Sequence, residues 1–214
     1  MLLESFEKLP EEKKARILST GISAFSQKSY TDVSTDALTR QCQISKGLLF
    51  HYFGSKKNFY LYCLEKAMER LTEEGAETSG LDFYDILFDS MNRKLSKCME
   101  YREEMHLVNM ASRDASGEIA EEKEGILRKY AVGIQTESKQ ILQKAIAALP
   151  LENINKNSVS LEGLYLYIHA VLNKYLLAYQ QIPDQFFENS ETIKAEMKQY
   201  LDLMLYGIAG REEV

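Results

Sequence analysis

Three observations predict an all-α protein. Leu, Lys, Glu, Gln, Met and Ala abound, residues that lose little rotamer freedom on entering a helix. Only three prolines and eleven glycines are spread over 214 residues. Apolar residues recur at helical spacing, and the alternation of a half-buried strand is scarce. The length suits one small domain and one of medium size, each able to bury a core. With 45% hydrophobic and 27% charged residues, the composition is that of an ordinary globular chain rather than a disordered one.

The elements follow in order. Leu9-Pro10-Glu11-Glu12 starts the first helix, because proline is tolerated in a first turn and carboxylates suit the positive end of the helix dipole. Ala15, Ile17, Leu18, Gly21, Ile22 and Phe25 form its inward face, and it ends near Gln27. Ser34 caps a second helix over residues 35–41, with Leu38 inward, and Cys42-Gln43-Ile44 makes a turn. Ser45 caps a third, residues 46–52, which buries Leu49 and Phe53. Gly54-Ser55 breaks the chain, and Ser55 caps a fourth helix running to about Thr72, with Phe59, Tyr62, Cys63 and Ala67 on one side. Glycines at 75 and 80 mark a boundary. The expected division is therefore residues 1–55, a connecting helix over 55–74, and a second domain over 75–214. There, helices are expected over 81–99, 101–113, 117–148 (with Gly133 a candidate split), 158–181 and 189–208. The prolines at 150 and 183 are the firmest breaks.

The formal charge of −6 is unevenly placed. Residues 1–60 carry nine Lys and Arg against six Asp and Glu, whereas residues 61–214 have a net charge of −9. A basic end on an acidic body suggests a nucleic-acid partner for that end. Three cysteines without CxxC spacing read as small buried hydrophobes in a reducing compartment. The N-terminus lacks an apolar run of signal-peptide length. The most apolar stretch, 164–179, contains His169, Asn173 and Lys174 and is too short for a bilayer span. A cytoplasmic protein without a membrane partner is expected. His51, His106 and His169 lie far apart, and the chain has no HExxH, P-loop, GxGxxG after a strand, or nucleophile elbow. An enzyme, a metal site or a cofactor is therefore not expected.

Residues 34–60 outline two short helices joined by a tight turn and followed by a third helix start, the form of a DNA-reading helix-turn-helix. Lys46, Leu48, Phe50, His51 and Tyr52 are expected on its outer side, and Gly47 lets the backbone come close. Lys46 can reach a guanine edge or a phosphate, and Leu48 a thymine methyl. The amides at Ser34 and Thr35, the Tyr52 hydroxyl and the Lys56 ammonium suit phosphate positioning.

Leu38-Thr39, Cys42-Gln43-Ile44, Ser45-Lys46-Gly47, Leu49-Phe50-His51-Tyr52-Phe53 and Ser55-Lys56 together resemble the TetR family of transcriptional regulators. The resemblance covers about residues 10–70 by motif. It implies that Lys46, Gly47, Leu48, Phe50, His51, Tyr52 and Lys56 line the side facing double-stranded DNA. Three departures stand out: Gln43 replaces a turn glycine, Thr39 and Cys42 replace alanines, and Phe50 replaces a tyrosine. A positive φ at Gln43 would store about 1 kcal/mol.

The helix over 158–181 is apolar around most of its circumference, so it needs burial on more than one side. One side can face its own core and the other a second subunit. With the last helix it predicts a four-helix seam about a two-fold axis, through Leu161, Leu164, Tyr165, Ile168, Leu172, Tyr175, Met197, Tyr200, Leu201 and Met204. Such a homodimer has two heads and reads a palindromic operator with half-sites about one DNA turn apart. The resemblance also implies a small-molecule effector among the middle helices, with Phe88, Met91, Met105, Met110, Tyr130 and Tyr167 as candidate lining, since methionines and aromatics adapt to irregular ligands. A ligand preferring the conformer with badly spaced heads would release DNA, with the fourth helix as lever. The alternative is a helical ligand-binding or protein-interaction module whose head no longer reads DNA.

Overall fold

The computed structural model describes residues 2–73, 82–149, 161–180 and 182–206, among which there are eleven helices and no strand. They are α1 (Leu2–Glu7), α2 (Glu11–Gln27), α3 (Thr35–Gln41), α4 (Lys46–Phe53), α5 (Lys56–Thr72), α6 (Phe83–Glu100), α7 (Arg102–Arg113), α8 (Ala120–Ala147), α9 (Leu161–Tyr179), α10 (Pro183–Glu188) and α11 (Ser190–Tyr206). The boundary glycines at 75 and 80, the Pro150 break, residues 158–160 and residues 207–208 lie outside the described residues. Two short helices, α1 and α10, have no counterpart in the sequence reading, being too short to show a period. The stretch around Gly133 is continuous helix: α8 runs through it, and a Cβ on Gly133 would meet nothing within 4 Å.

The chain forms two compact units. The first comprises residues 1–73 and 101–134, the second residues 74–100 and 135–214, so α8 has residues in both. In the first unit, Ile17, Leu18, Gly21, Ile22 and Phe25 of α2 are buried, while Ala15 is exposed. The α5 side chains Phe59, Tyr60, Cys63, Leu64, Ala67 and Met68 are buried as well. Leu107 and Ala111 of α7 and Ile119 join the same core. Phe6 of α1 is a plug in this core, its ring centroid 4.8 Å from Phe53 and 5.9 Å from Tyr52. Cys42 and Cys63 are buried here too, and burial pushes the Cys42 thiol up to about 11, so both serve as packing residues.

Charge straps α5 to its neighbours within this unit. Arg70 Nη1 lies 2.5 Å from Glu104 Oε1, Lys57 Nζ 2.5 Å from Glu122 Oε1, and Lys129 Nζ 2.7 Å from Glu65 Oε1. The segment between α7 and α8 docks on Tyr30: the Tyr30 amide donates to Asp114 Oδ2 at 2.7 Å, and its hydroxyl to Glu118 Oε1 at 2.8 Å. Lys123 Nζ donates to the Asp114 carbonyl. Burial alone would push the Asp114 carboxyl up, but hydrogen bonds from Ser116 and the Tyr30 amide, with the charge of Lys123, hold it below the usual range. A depressed carboxyl stabilises the fold above its unfolded pKa of about 3.9 and loses that contribution as pH falls through the lower folded value. The gap in urea midpoint between wild type and Asp114→Asn should therefore be constant from about pH 7 to 5 and close below about pH 4.

The second unit corrects the expected dimer seam. Leu164, Ile168, Tyr175, Met197 and Leu201 are buried in the unit's own core. Tyr165, Leu172 and Met204 are half-buried against it, the Leu161 side chain is outside the described residues, and among the described ones only Tyr200 is exposed. The uncovered apolar residues are instead Leu166 at 69% and Leu177 at 67% exposure, with Ala170 and Ala178 on α9 and Leu203 on α11. Spacing shows which residues share a stripe, and on a helix apolar all round it does not say which stripe meets its own core. Across this unit Tyr84 donates to Asp202, and Lys94 Nζ to Ser138 Oγ at 3.1 Å.

Candidate nucleic-acid interface

Three serine caps set the head. Ser34 Oγ accepts from the Ala37 amide at 3.5 Å, Ser45 Oγ from Leu48 at 3.1 Å, and Ser55 Oγ from Asn58 at 3.0 Å. Each satisfies an amide that a helix start leaves orphaned. Between α3 and α4 the Ile44 amide reaches back to the Thr39 carbonyl at 3.1 Å, and Gln43 lies at φ 54°. That is the left-handed region, in which a side chain stores about 1 kcal/mol relative to glycine. Gln43 is exposed, so Gln43→Gly should raise stability by about 0.5–1 kcal/mol and the midpoint of thermal unfolding with it. The two alanine departures fit by burial: Thr39 donates to the Asp36 carbonyl at 3.3 Å, and Cys42 Sγ lies 3.9 Å from the Ile17 carbonyl.

Leu49, Tyr52 and Phe53 hold α4 to the core. Lys46, Gly47, Leu48, Phe50 and His51 are exposed together, with Leu48 and Phe50 each at 38%. Two apolar side chains left in solvent on a well-anchored helix are unexpected on packing grounds alone. A Cβ on Gly47 would meet only Ser45 Oγ at 3.9 Å, so the space that its missing side chain leaves lies outside the protein. Ser34 is exposed and Thr35 half-buried at the start of α3.

Tyr52 is a correction: it was expected to face outward and is only 5% exposed, its ring against Phe6. The cause is α1, whose Phe6 covers that side of α4. Lys56 is half-buried rather than free. Its Nζ sits 4.5 Å from the Tyr30 ring centroid and donates to the Thr31 carbonyl at 3.5 Å, and burial draws its pKa down against the pull of Glu118 and Asp32. Sequence reasoning misses two residues here. Tyr30 connects Lys56 to Glu118, the latter 88 residues further along the chain, which no local pattern reveals. Asp36, whose carboxylate lies 3.0 Å from Lys46 Nζ, carried a readable signal as the only acidic residue between Val33 and Leu64.

The six candidate ligand residues divide three and three between the units. Phe88 and Met91 share a core cluster with Tyr175, and Tyr167 donates to the Tyr200 carbonyl at 3.3 Å, all in the second unit. Met105, Met110 and Tyr130 belong to the first. Tyr130 lines a shallow groove there with Glu69, Arg70, Thr72 and Glu73.

Residues 17–63 match the family described as bacterial regulatory proteins, tetR family. Over 65 residues, 28% of the chain, the sequence is 34% identical to the HTH-type transcriptional regulator YuxN of Bacillus subtilis (strain 168). The chain spans less than a third of the length of the curated relatives it matches. Among solved structures, it is similar to a TetR family transcriptional regulator from Chloroflexus aurantiacus J-10-fl, with a TM-score of 0.61, 21% identity, and coverage of 95% of this chain and 96% of that one. It is also similar to the transcriptional regulator FadR from Bacillus subtilis, solved in complex with stearoyl-CoA, with a TM-score of 0.51, 14% identity, and coverage of 91% and 98%. These likenesses show the fold along almost the whole chain, while the family match rests on the residues of the head itself. The head, residues 17–63, thus matches the tetR family of bacterial regulatory proteins, and the helical fold around it is similar to that of solved TetR family regulators.

Proposed function

We propose that this chain is a cytoplasmic transcriptional repressor that binds a palindromic operator as a homodimer and is released by a small apolar or amphipathic ligand. The observation that carries the DNA-reading part is the exposed face of α4: Lys46, Gly47, Leu48, Phe50 and His51 are open to solvent on a helix whose other side is locked into the core. No helix among the described residues is long and apolar enough to cross a membrane. Repression is favoured because occupancy of a promoter is enough to block it.

The homodimer is assigned to the uncovered α9 and α11 residues Leu166, Ala170, Leu177 and Leu203. The ligand is assigned to the second unit, where Phe88, Met91 and Tyr167 lie, and FadR's acyl-CoA makes an amphipathic effector a reasonable class. The lever expected of α5 passes to α8, which has residues in both units; α5 lies within the first. Ligand binding that favours one α8 arrangement would change DNA affinity by its differential affinity, typically about 1 to 3 kcal/mol.

Gel shifts with genomic fragments at two salt concentrations test this reading. A DNA reader loses affinity steeply with salt, with a log–log slope of about −0.9 per neutralised phosphate. Lys56→Ala should flatten that slope by about one unit per head while leaving sequence preference intact. Binding that ignores salt would remove the DNA-reading function, and an unchanged slope in the Lys56 variant would remove Lys56 from the phosphate contacts.

A further inference from the structure

We propose that Asp36 is a specificity-determining residue of the head: with Lys46 it forms a couple that reads the major-groove edge of a G·C pair and weakens attachment to phosphates of arbitrary sequence. This rests on the DNA-reading function proposed above.

Asp36 stands in the first turn of α3, and Lys46 is the first residue of α4. Their charged atoms are 3.0 Å apart across the turn, with the side chains 70% and 53% exposed. An ion pair so exposed contributes about 0–1 kcal/mol to folding, so stability gives it little purpose. Its position does. Each partner sits on a helix fixed by its own serine cap and, for α4, by three buried side chains. The couple is therefore held on rigid supports at the surface that faces DNA.

A carboxylate on that surface repels phosphate and offsets the charge of Lys46, which removes about one counterion's worth of non-specific attraction from each head. Hydrogen-bonding capacity remains. An ammonium has three donors, and one serves Asp36, leaving two for a partner. Guanine presents two adjacent acceptors, N7 and O6, and cytosine presents the N4 amino donor, which a carboxylate accepts. Guanine O6 and cytosine N4 are hydrogen-bonded to each other within the base pair and so lie about 2.9 Å apart. Lys46 Nζ and Asp36 Oδ1 offer a donor and an acceptor at a matching separation. In a T·A pair the ammonium would find thymine O4 alone, with no N7 beside it and with the methyl group alongside.

The test uses the full chain as wild type, Asp36→Asn, Asp36→Glu, Lys46→Gln and the Asp36→Asn/Lys46→Gln double variant. Binding sites are selected from a random-sequence duplex library. Affinities for the selected and a scrambled duplex are then measured between about 50 and about 200 mM salt, a range over which phosphate contacts dominate the change. Wild type should select a G·C pair at one symmetric position in each half-site. Asp36→Asn should bind scrambled duplex more tightly, steepen the log–log salt slope by about 0.9 per head, and lose about tenfold of the preference for G·C at that position. Asp36→Glu should restore the wild-type slope. In the Lys46→Gln background, the Asn substitution should no longer alter base preference. A wild type that selects a site while Asp36→Asn keeps both its slope and its preference overturns this proposal and leaves the regulator function standing. A wild type that binds no DNA in a salt-dependent way overturns both.

Discussion

Gly21→Ala is expected to destabilise the first unit by about 3 kcal/mol, the upper end of what an added methyl costs in a tight core. A Cβ at Gly21 would lie 2.5 Å from Phe59 Cζ and 2.6 Å from Cys63 Sγ. Both neighbours are fully buried side chains of α5, so neither can swing into solvent. Phe59 is further confined by Phe53, whose ring centroid is 4.6 Å away, and by Phe25 at 6.2 Å. The contact sets how closely α2 approaches α5, and through Phe53 it reaches the helix that carries the exposed face. Thermal unfolding should fall by about 10 °C, and DNA affinity should drop at temperatures where the head has begun to melt. Gly21→Ala combined with Phe59→Leu should recover part of the loss, because the smaller side chain vacates the clash. A single variant with an unchanged melting midpoint would show that the two helices separate without cost.

Leu166→Glu with Leu177→Glu is expected to turn a dimer into a folded monomer. Both leucines are more than 65% exposed in the single chain, so the substitutions cost the subunit's own fold little. A two-fold interface would bury each change twice, and an unpaired carboxylate in such a seam costs about 3 kcal/mol or more, over a hundredfold in dissociation constant. Sedimentation should report the mass of a dimer for wild type and of a monomer for the variant, with unaltered helical circular dichroism. Affinity for a palindrome should collapse to that of a half-site, since the second head is no longer tethered at high effective concentration. The contrasting variant Ile168→Ala removes a fully buried side chain and should lower stability by about 2–5 kcal/mol without a specific effect on dimerisation. If the glutamate pair sediments as a dimer, the uncovered α9 stripe is not the seam.

The head was legible because its signals are local. Ser34, Ser45 and Ser55 each announce a helix start through a bond to an amide three residues on, and the serine and glycine positions punctuate the chain at the observed ends. Gln43 shows the same locality: its replacement of a turn glycine was readable as strain, and the backbone there indeed takes a positive φ. The face of α4 followed from its period, apart from Tyr52. That residue's burial depends on Phe6 in a six-residue helix with too few turns to display a pattern.

By itself, then, the sequence determined the all-helical class, the caps and breaks of the N-terminal helices, the turn and the family of the head, because each depends on hydrogen bonds and periodicity within a few residues. Only the tertiary structure decided which stripe of α9 meets its own core, where Lys56 and Tyr52 point, and that Asp36 lies beside Lys46. Those outcomes rest on contacts between separate elements, some adjacent along the chain and some distant. Two apolar stripes on one helix gain equally from burial, and only the shape of the surrounding helices selects which of them is covered.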